Sequence, residues 1–139
     1  MKLTRREALW VGLGGIASAT LANPAFAATV EELTAAFTAG AAPAMDGITL
    51  TAPEIAENGN TVPVSVEAPG AVAIMILATG NPEPAVATAT FGPAAGRQMV
   101  ATRIRLAKTQ DVMVLAKMAD GSIKQASATV KVTIGGCGG

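Results

Sequence analysis

The sequence predicts an all-β fold: an immunoglobulin-like antiparallel β-sandwich with a short N-terminal helix and a flexible C-terminal arm. From residue 48 onward apolar and polar residues alternate with a period of two, and Gly, Pro, Asn and Asp turns divide the chain into about seven short runs. The arm is predicted because residues 135–139 read GGCGG and offer almost no side chain for packing. The predicted division is a leader over 1–27, one domain over 28–134 and the arm over 135–139.

The leader has the composition of an export signal. Arg5 and Arg6 lie in a basic start, an apolar stretch follows over residues 10–21, and Ala25-Phe26-Ala27 fits the small-x-small cleavage pattern. The apolar stretch is too short to span a bilayer as a helix, so we expect no stable membrane insertion. The paired arginines favour the twin-arginine route over the general secretory route. We therefore expect cleavage after Ala27 and a periplasmic location.

A short helix is predicted at the start of the mature chain. Thr29 and Glu32 have the spacing of a capping box, in which each side chain binds the backbone N–H of the other residue. Gly40 is predicted to end the helix. Three apolar residues then share one helical face: Val30, Leu33 and Phe37.

The strands follow in order along the rest of the chain. Residues 62–67 alternate, and Pro63 predicts that this strand lies at a sheet edge because proline cannot donate a ladder hydrogen bond. The continuous apolar run over 71–78 predicts a central strand. A strand over 86–91 follows, and then one with inward residues at 100, 102, 104 and 106. Arg103 and Arg105 are expected on its outer face, either as a solvated face or as a docking patch for an anionic partner.

The last two strands are predicted to form a hairpin. Asp120-Gly121 is a strong two-residue turn signal between residues 112–118 and 122–134. In the final strand Ala126, Ala128, Val130, Val132 and Ile134 share one face, and polar residues share the other.

Composition excludes several classes of function. Removing the three basic residues and one acidic residue of the leader from ten of each leaves seven basic and nine acidic side chains, which gives no basic stripe for nucleic acid. The chain has no histidine and no tyrosine, so no Ser-His-Asp or Cys-His pair and no usual zinc, copper or haem site is expected. We predict no cofactor, no metal and no catalysis. Half of the residues are hydrophobic and 14% are charged, which suggests that a partner covers part of the surface.

Cys137 is the remaining candidate for chemistry. It is the only cysteine, so an intramolecular disulfide is impossible, and an exported protein with an odd thiol uses it for crosslinking or as a reactive group. Three readings stay open: an incidental thiol, a crosslink, or a covalent attachment point on a swinging arm. The third is favoured because Gly135, Gly136, Gly138 and Gly139 leave a narrow tail that reaches roughly 10 Å beyond Ile134.

These residues resemble a known family. The end VTIGGCGG, residues 132–139, together with the twin-arginine-like leader and ENGNTVPV at residues 57–64, is similar to the sulfur-carrier Y subunit of the Sox thiosulfate-oxidising system. The resemblance covers essentially the full chain. It implies that Cys137 carries thiosulfate-derived sulfur species and that the four glycines form the flexible arm.

The resemblance also implies partners. A smaller Z subunit would form a heterodimer with this chain and be exported bound to it. A haem-containing enzyme would join thiosulfate to the cysteine oxidatively, giving a covalent adduct that ends in a sulfonate. A hydrolase would release sulfate, and a molybdenum-containing sulfane dehydrogenase would oxidise the remaining sulfur. The alternative is an immunoglobulin-like envelope domain that its cysteine tethers to another protein through a disulfide.

Overall fold

The computed structural model describes residues 27–133, which form one helix and eight strands. The leader up to residue 26 and residues 134–139 lie outside the described part of the chain. Helix α1 spans Val30–Thr38. The strands are β1 Thr49–Thr51, β2 Ile55–Ala56, β3 Val62–Glu67, β4 Ala71–Ala78, β5 Ala85–Thr90, β6 Met99–Ile104, β7 Gln110–Met118 and β8 Ile123–Val132.

The strands form two sheets. One has the order β1-β3-β6, and the other has the order β2-β8-β7-β4-β5. All neighbouring strands run antiparallel except β2 and β8, which run parallel. The predicted immunoglobulin-like sandwich is confirmed, with the short parallel β2–β8 pair as a difference from a purely antiparallel arrangement.

The main core lies between the two sheets. Its members come from alternate positions of the facing strands, because successive side chains of a strand point to opposite faces. Burying each large aliphatic side chain stabilises the fold by about 1.5–3 kcal/mol. The largest fully buried members of this cluster are Ile74, Ile76, Leu106, Val62, Val66, Val112, Val114 and Val130.

A second, smaller core covers the opposite face of the five-stranded sheet. Leu77, Leu115 and Ile123 are buried there beneath helix α1. The helix contributes the three apolar residues that the sequence analysis placed on one face, Val30, Leu33 and Phe37. The five-stranded sheet is therefore apolar on both faces over β4 and β7, as the continuous run at 71–78 predicts for a central strand.

Helix α1 begins and ends where the sequence predicts. Thr29 Oγ1 accepts from the Glu32 N–H at 3.2 Å, and Glu32 Oε2 accepts from the Thr29 N–H at 2.8 Å, which confirms the capping box. At the other end Ala39 and Gly40 have positive φ angles of 51° and 84°. The left-handed backbone at these two residues turns the chain away after Thr38.

The predicted edge position of β3 is wrong, because β3 lies in the middle of its sheet. Pro63 is tolerated for a local reason. β6 pairs with the whole of β3, whereas β1 pairs only with Ser65–Glu67. Residues 62–64 therefore have a neighbouring strand on one side only, and the missing N–H of proline need not interrupt a ladder on the other side.

The β7–β8 hairpin is confirmed, although its turn differs in detail from a two-residue loop. Gly121 donates to the Met118 carbonyl at 3.0 Å, and Gly121 alone in this turn has a positive φ, 86°. The Asp120 carboxylate accepts from the Ser122 N–H at 2.9 Å. A turn followed by a left-handed glycine is the usual geometry of slightly longer hairpin loops.

Strand β6 ends earlier than the sequence suggested. Its last residue is Ile104, so Arg105 lies in the following loop and does not share a strand face with Arg103. Leu106 is fully buried although it lies past the strand. Helix α1 has nine residues, and the described part of the chain contains no helix with the length and hydrophobicity of a membrane span.

The segment before β1 crosses the edge of the five-stranded sheet and is tied to β8. Ala44 donates to the Ile123 carbonyl at 2.9 Å and accepts from the Gln125 N–H at 2.8 Å. Beside it, Lys124 Nζ donates to Asp46 Oδ1 at 2.9 Å. This hydrogen bond, helped by the lysine charge, holds the pKa of Asp46 below its ordinary value of 3.8.

We expect the Asp46 pKa to return toward 3.8 in a Lys124→Met variant, because the donor and the positive charge are both lost. Since the pKa is lowered in the folded protein, the stabilisation from this pair is present above pH 3.8 and is lost as the pH falls through the lowered value. NMR titration of the Asp46 carboxyl carbon measures the shift. Lys131→Met on the same strand is the control and should leave the Asp46 titration unchanged; an equal effect of both variants would contradict the assignment.

Candidate functional site

The candidate functional site is the base of the C-terminal segment, where β8 ends. Cys137 and the glycines at 135, 136, 138 and 139 lie outside the described residues, as do Arg5 and Arg6 of the leader. The structure describes the last residues before that segment, Val130 to Thr133, and their supports. Val130 is fully buried in the main core, so the strand is anchored there.

One support comes from β2. The Lys131 N–H donates to the Glu54 carbonyl at 2.9 Å, and the Thr133 N–H donates to the Ala56 carbonyl at 3.1 Å. These bonds belong to the parallel pairing of Ile55 with Lys131 and of Ala56 with Val132. Ala56 is itself buried at 6% exposure, so β2 is fixed to the body of the domain.

The other support comes from Thr109, the residue before β7. Its hydroxyl accepts from the Val132 N–H at 3.0 Å and donates to the Val132 carbonyl at 3.4 Å. The backbone ladder between β7 and β8 ends at Gln110 and Val130. The Thr109 side chain therefore extends the support of β8 by two residues beyond the end of β7.

The turn that follows β2 lies next to the base. This turn contains the ENGN residues 57–60, and the Asn58 side chain accepts from the Asn60 N–H at 3.0 Å. The buried Gly59 carbonyl accepts from the Leu106 N–H at 2.7 Å, which ties the turn to the segment before β7. The motif that supported the family resemblance, residues 57–64, thus begins on the loop directly after β2 and continues into β3.

A groove of about 400 Å³ runs between β2 and the start of β3. It is mostly apolar, and Ile55 in its wall is 57% exposed. Its other walls are formed by Pro53, Ala56, Glu57, Asn58, Thr61, Val62 and Pro63.

Charge around the base is mixed in sign. Glu54 and Glu57 flank β2, Lys131 lies on β8, and Lys108 precedes Thr109; all four side chains are exposed. No cluster of three or more metal-ligating side chains is found among residues 27–133. The described surroundings therefore supply backbone support and a groove.

The sequence analysis predicted the last strand that leads to Cys137, but it missed the supports at the end of that strand. Thr109 carries no local signal, because a threonine in a polar loop has many possible roles. Glu54 and Ala56 contribute backbone carbonyl groups, for which any residue would serve. Only the pairing of β2 with β8 brings these carbonyl groups to the end of β8.

Comparison with known proteins decides the family. The model of the family described as "Sulfur oxidation protein SoxY" matches residues 33–137. The match covers most of the chain and extends to Cys137. The chain belongs to the SoxY family. The structure of the sulfur carrier protein SoxY from Chlorobium limicola f thiosulfatophilum is similar, with a TM-score of 0.67 and 36% identity over 76% of this chain and 97% of that chain. The resemblance noted in the sequence is confirmed.

Other similar structures share the fold alone with this SoxY family member. Superoxide reductase (neelaredoxin) from Ignicoccus hospitalis has a TM-score of 0.55 at 16% identity, covering 63% of this chain and 80% of that chain. A variant of the same protein has a TM-score of 0.55 at 18% identity, covering 73% of this chain and 86% of that chain. A comparison with curated protein sequences finds no match.

The Thr109 hydroxyl should control local opening at the base of the arm. In a Thr109→Val variant we expect the Val132 amide to exchange its hydrogen about fivefold faster, because a hydrogen bond worth about 1 kcal/mol is lost. Amide exchange followed by NMR measures this rate. Thr109→Ser keeps the hydroxyl and should exchange at nearly the original rate; if serine and valine behave alike, the hydroxyl does not hold the strand.

Proposed function

We propose that this SoxY family member is a periplasmic sulfur carrier, which holds thiosulfate-derived intermediates covalently on Cys137 and presents them to the enzymes of the Sox cycle. The observation that carries the proposal is the family match through residue 137, which includes the only cysteine of the chain. The similar Chlorobium protein is itself called a sulfur carrier. The arginine pair of the leader supports export to the periplasm.

The described domain suits a carrier because it holds the last strand firmly to its end. Hydrogen bonds reach β8 from β2 on one edge and from Thr109 on the other, up to Thr133. Cys137 is four residues farther along, so covalent geometry limits its Cα to about 13–14 Å from that of Thr133. A fixed base and a short glycine-rich tether would let one thiol enter the active sites of several enzymes.

The chemistry assigned to the thiol is a cycle of loading and release. In loading, the outer sulfur of thiosulfate bonds to Sγ of Cys137, the thiol proton is released, and two electrons pass to the haem-containing partner. Hydrolysis by water then releases sulfate and leaves the sulfane sulfur on the cysteine. The sulfane dehydrogenase then oxidises that sulfur to a sulfonate: water supplies the oxygen atoms, protons are released, and the enzyme takes up the electrons. A second hydrolysis releases the sulfonate as sulfate and restores the thiol.

The carrier itself is proposed to be non-catalytic. The chain has no histidine to act as a general base for the thiol, and an exposed cysteine is mostly protonated near neutral pH. A passive thiol is useful for a carrier, because its cargo is protected from side reactions until a partner's active site activates it.

We assign the contact with the Z subunit to the outer face of the three-stranded sheet. On the five-stranded sheet, helix α1 already covers the apolar residues Leu77, Leu115 and Ile123. The outer face of the three-stranded sheet carries a largely apolar groove of about 520 Å³ between its strands. Its lining is Thr51, Ala52, Pro53, Pro63, Val64, Ser65, Ala101, Thr102 and Arg103. An exposed apolar groove of this kind fits contact with a second protein domain.

Mass spectrometry of the intact protein tests the carrier function. After isolation from thiosulfate-grown cells, we expect masses increased by sulfane and sulfonate groups, all of them on the peptide that contains Cys137. Cys137→Ser should carry none and should stop thiosulfate oxidation while its melting temperature stays unchanged, since residue 137 lies beyond the anchored end of β8. A uniform disulfide to another protein would instead support the envelope tether and overturn the carrier.

Binding of Z tests the assigned face with two matched substitutions. Ser65→Arg places a bulky charge at the middle of the three-stranded sheet, opposite Thr51 and Ala101, and should reduce co-purification of Z at least tenfold. Ser127→Arg makes the same change at an exposed position of β8, in the other sheet, and should leave Z binding intact. Loss of Z only with Ser127→Arg would move the interface to the opposite sheet.

A further inference from the structure

A six-residue segment, which runs from the end of β6 to the first residue of β7, connects the parts that surround the end of β8. This bracket segment, residues 105–110, donates from Leu106 N–H to the Gly59 carbonyl at 2.7 Å. It also carries Thr109, whose hydroxyl holds Val132. The bracket segment therefore contacts both the turn after β2 and the end of β8. Its own position decides where the Thr109 hydroxyl lies.

Asn81 makes three hydrogen bonds to the bracket segment. Its Nδ2 donates to the Arg105 carbonyl at 2.8 Å, and its Oδ1 accepts from the Ala107 N–H at 2.9 Å. The same Oδ1 accepts from Gln110 Nε2 at 2.8 Å. One side-chain amide thus binds the segment at its beginning, middle and end. The asparagine amide supplies the donor and the acceptor on two separate atoms, so it can bind all three groups at once.

Gln110 completes this connection from the bracket side. It is buried at 7% exposure, so its polar atoms need partners within the protein. Its Oε1 accepts from the Gly80 N–H at 2.8 Å, and its Nε2 donates to the Lys108 carbonyl at 3.0 Å as well as to Asn81. The two chains approach closely here, because a Cβ at position 80 would lie 2.8 Å from that of Gln110.

We propose that Asn81 is a positioning residue for the carrier arm: by holding the bracket segment, it places the Thr109 hydroxyl on Val132 and so fixes the point from which the arm extends. The role in sulfur transfer rests on the proposed carrier function. The positioning itself rests on the hydrogen bonds among residues 80–81, 105–110 and 132. Asn81 acts through Thr109, the residue whose hydroxyl binds Val132.

Amide hydrogen exchange of the full-length protein tests the positioning directly. In Asn81→Ala we expect exchange at Val132 to rise about fivefold, because Thr109 is no longer held in place. Gln125, whose N–H is bound to Ala44 at the other end of β8, should change less than twofold. An equal rise at both amides would mean only a global loss of stability, and no rise at Val132 would mean that Asn81 does not act on the arm. Either result would overturn the proposal.

Two further variants separate positioning from folding. Asn81→Asp keeps the acceptor oxygens but loses the donor to Arg105, so it should raise Val132 exchange by a smaller factor and serves if the alanine variant does not fold. Asn60→Ala removes an exposed asparagine amide that makes none of the bonds to the bracket segment, and it should leave Val132 exchange unchanged. A variant series in which Asn60→Ala matches Asn81→Ala would contradict the assignment.

Enzymatic loading links the positioning to sulfur transfer. With the haem-containing partner and thiosulfate, the Asn81→Ala carrier should need to be present at a several-fold higher concentration than wild type for half-maximal loading. Cys137 should react with iodoacetamide at the same rate in both proteins. If wild type loads and the variant loads identically, the proposed role in transfer is wrong. If wild type itself is not loaded, the carrier function fails, and the exchange result at Val132 still decides the positioning.

Discussion

Hydrogen bonds hold β8 on both of its edges, and this two-sided support fixes the end of the last strand against the body of the domain. Main-chain carbonyls of Glu54 and Ala56 accept from one edge, and the Thr109 hydroxyl binds the other edge beyond the last ladder pair. A terminal strand usually frays, because its last residues have few partners. Here the supports extend to Thr133, so mobility in the following segment would not require the strand to open.

The layers of the sandwich explain how so short a domain can provide that support. The five-stranded sheet is packed on one face against the three-stranded sheet and on the other against helix α1. β7 and β8 are therefore held by side-chain packing as well as by their long hairpin ladder, which runs from Gln110–Val130 to Lys117–Ile123. The edge of β8 is covered at its beginning by Ala44 and at its end by β2.

Fold and function separate clearly in the comparisons. The superoxide reductases share the sandwich at 16–18% identity, whereas the Chlorobium SoxY shares it at 36%. A sandwich of this kind supports unrelated chemistries, so the architecture alone does not name a reaction. The family match through Cys137 carries the functional argument. The described domain adds a firmly held end of β8 and an open face of the three-stranded sheet, and both features suit a protein to which other proteins bind.

Local sequence patterns were enough to predict the capping box at Thr29, the hairpin at Gly121 and the alternation of β8, and to single out the unique cysteine among glycines. Each of these depends on residues within a few positions of one another, where turn geometry and side-chain period act directly. Three-dimensional packing alone places β3 in the middle of its sheet, runs β2 parallel to β8, and brings Asn81 to residues 105–110 and Thr109 to Val132. The side-chain contacts at the end of β8 join distant residues, 23 positions apart for Val132–Thr109 and 77 for Thr133–Ala56. Strand order and side-chain partners at such separations follow from how the whole core packs, and no local pattern encodes them.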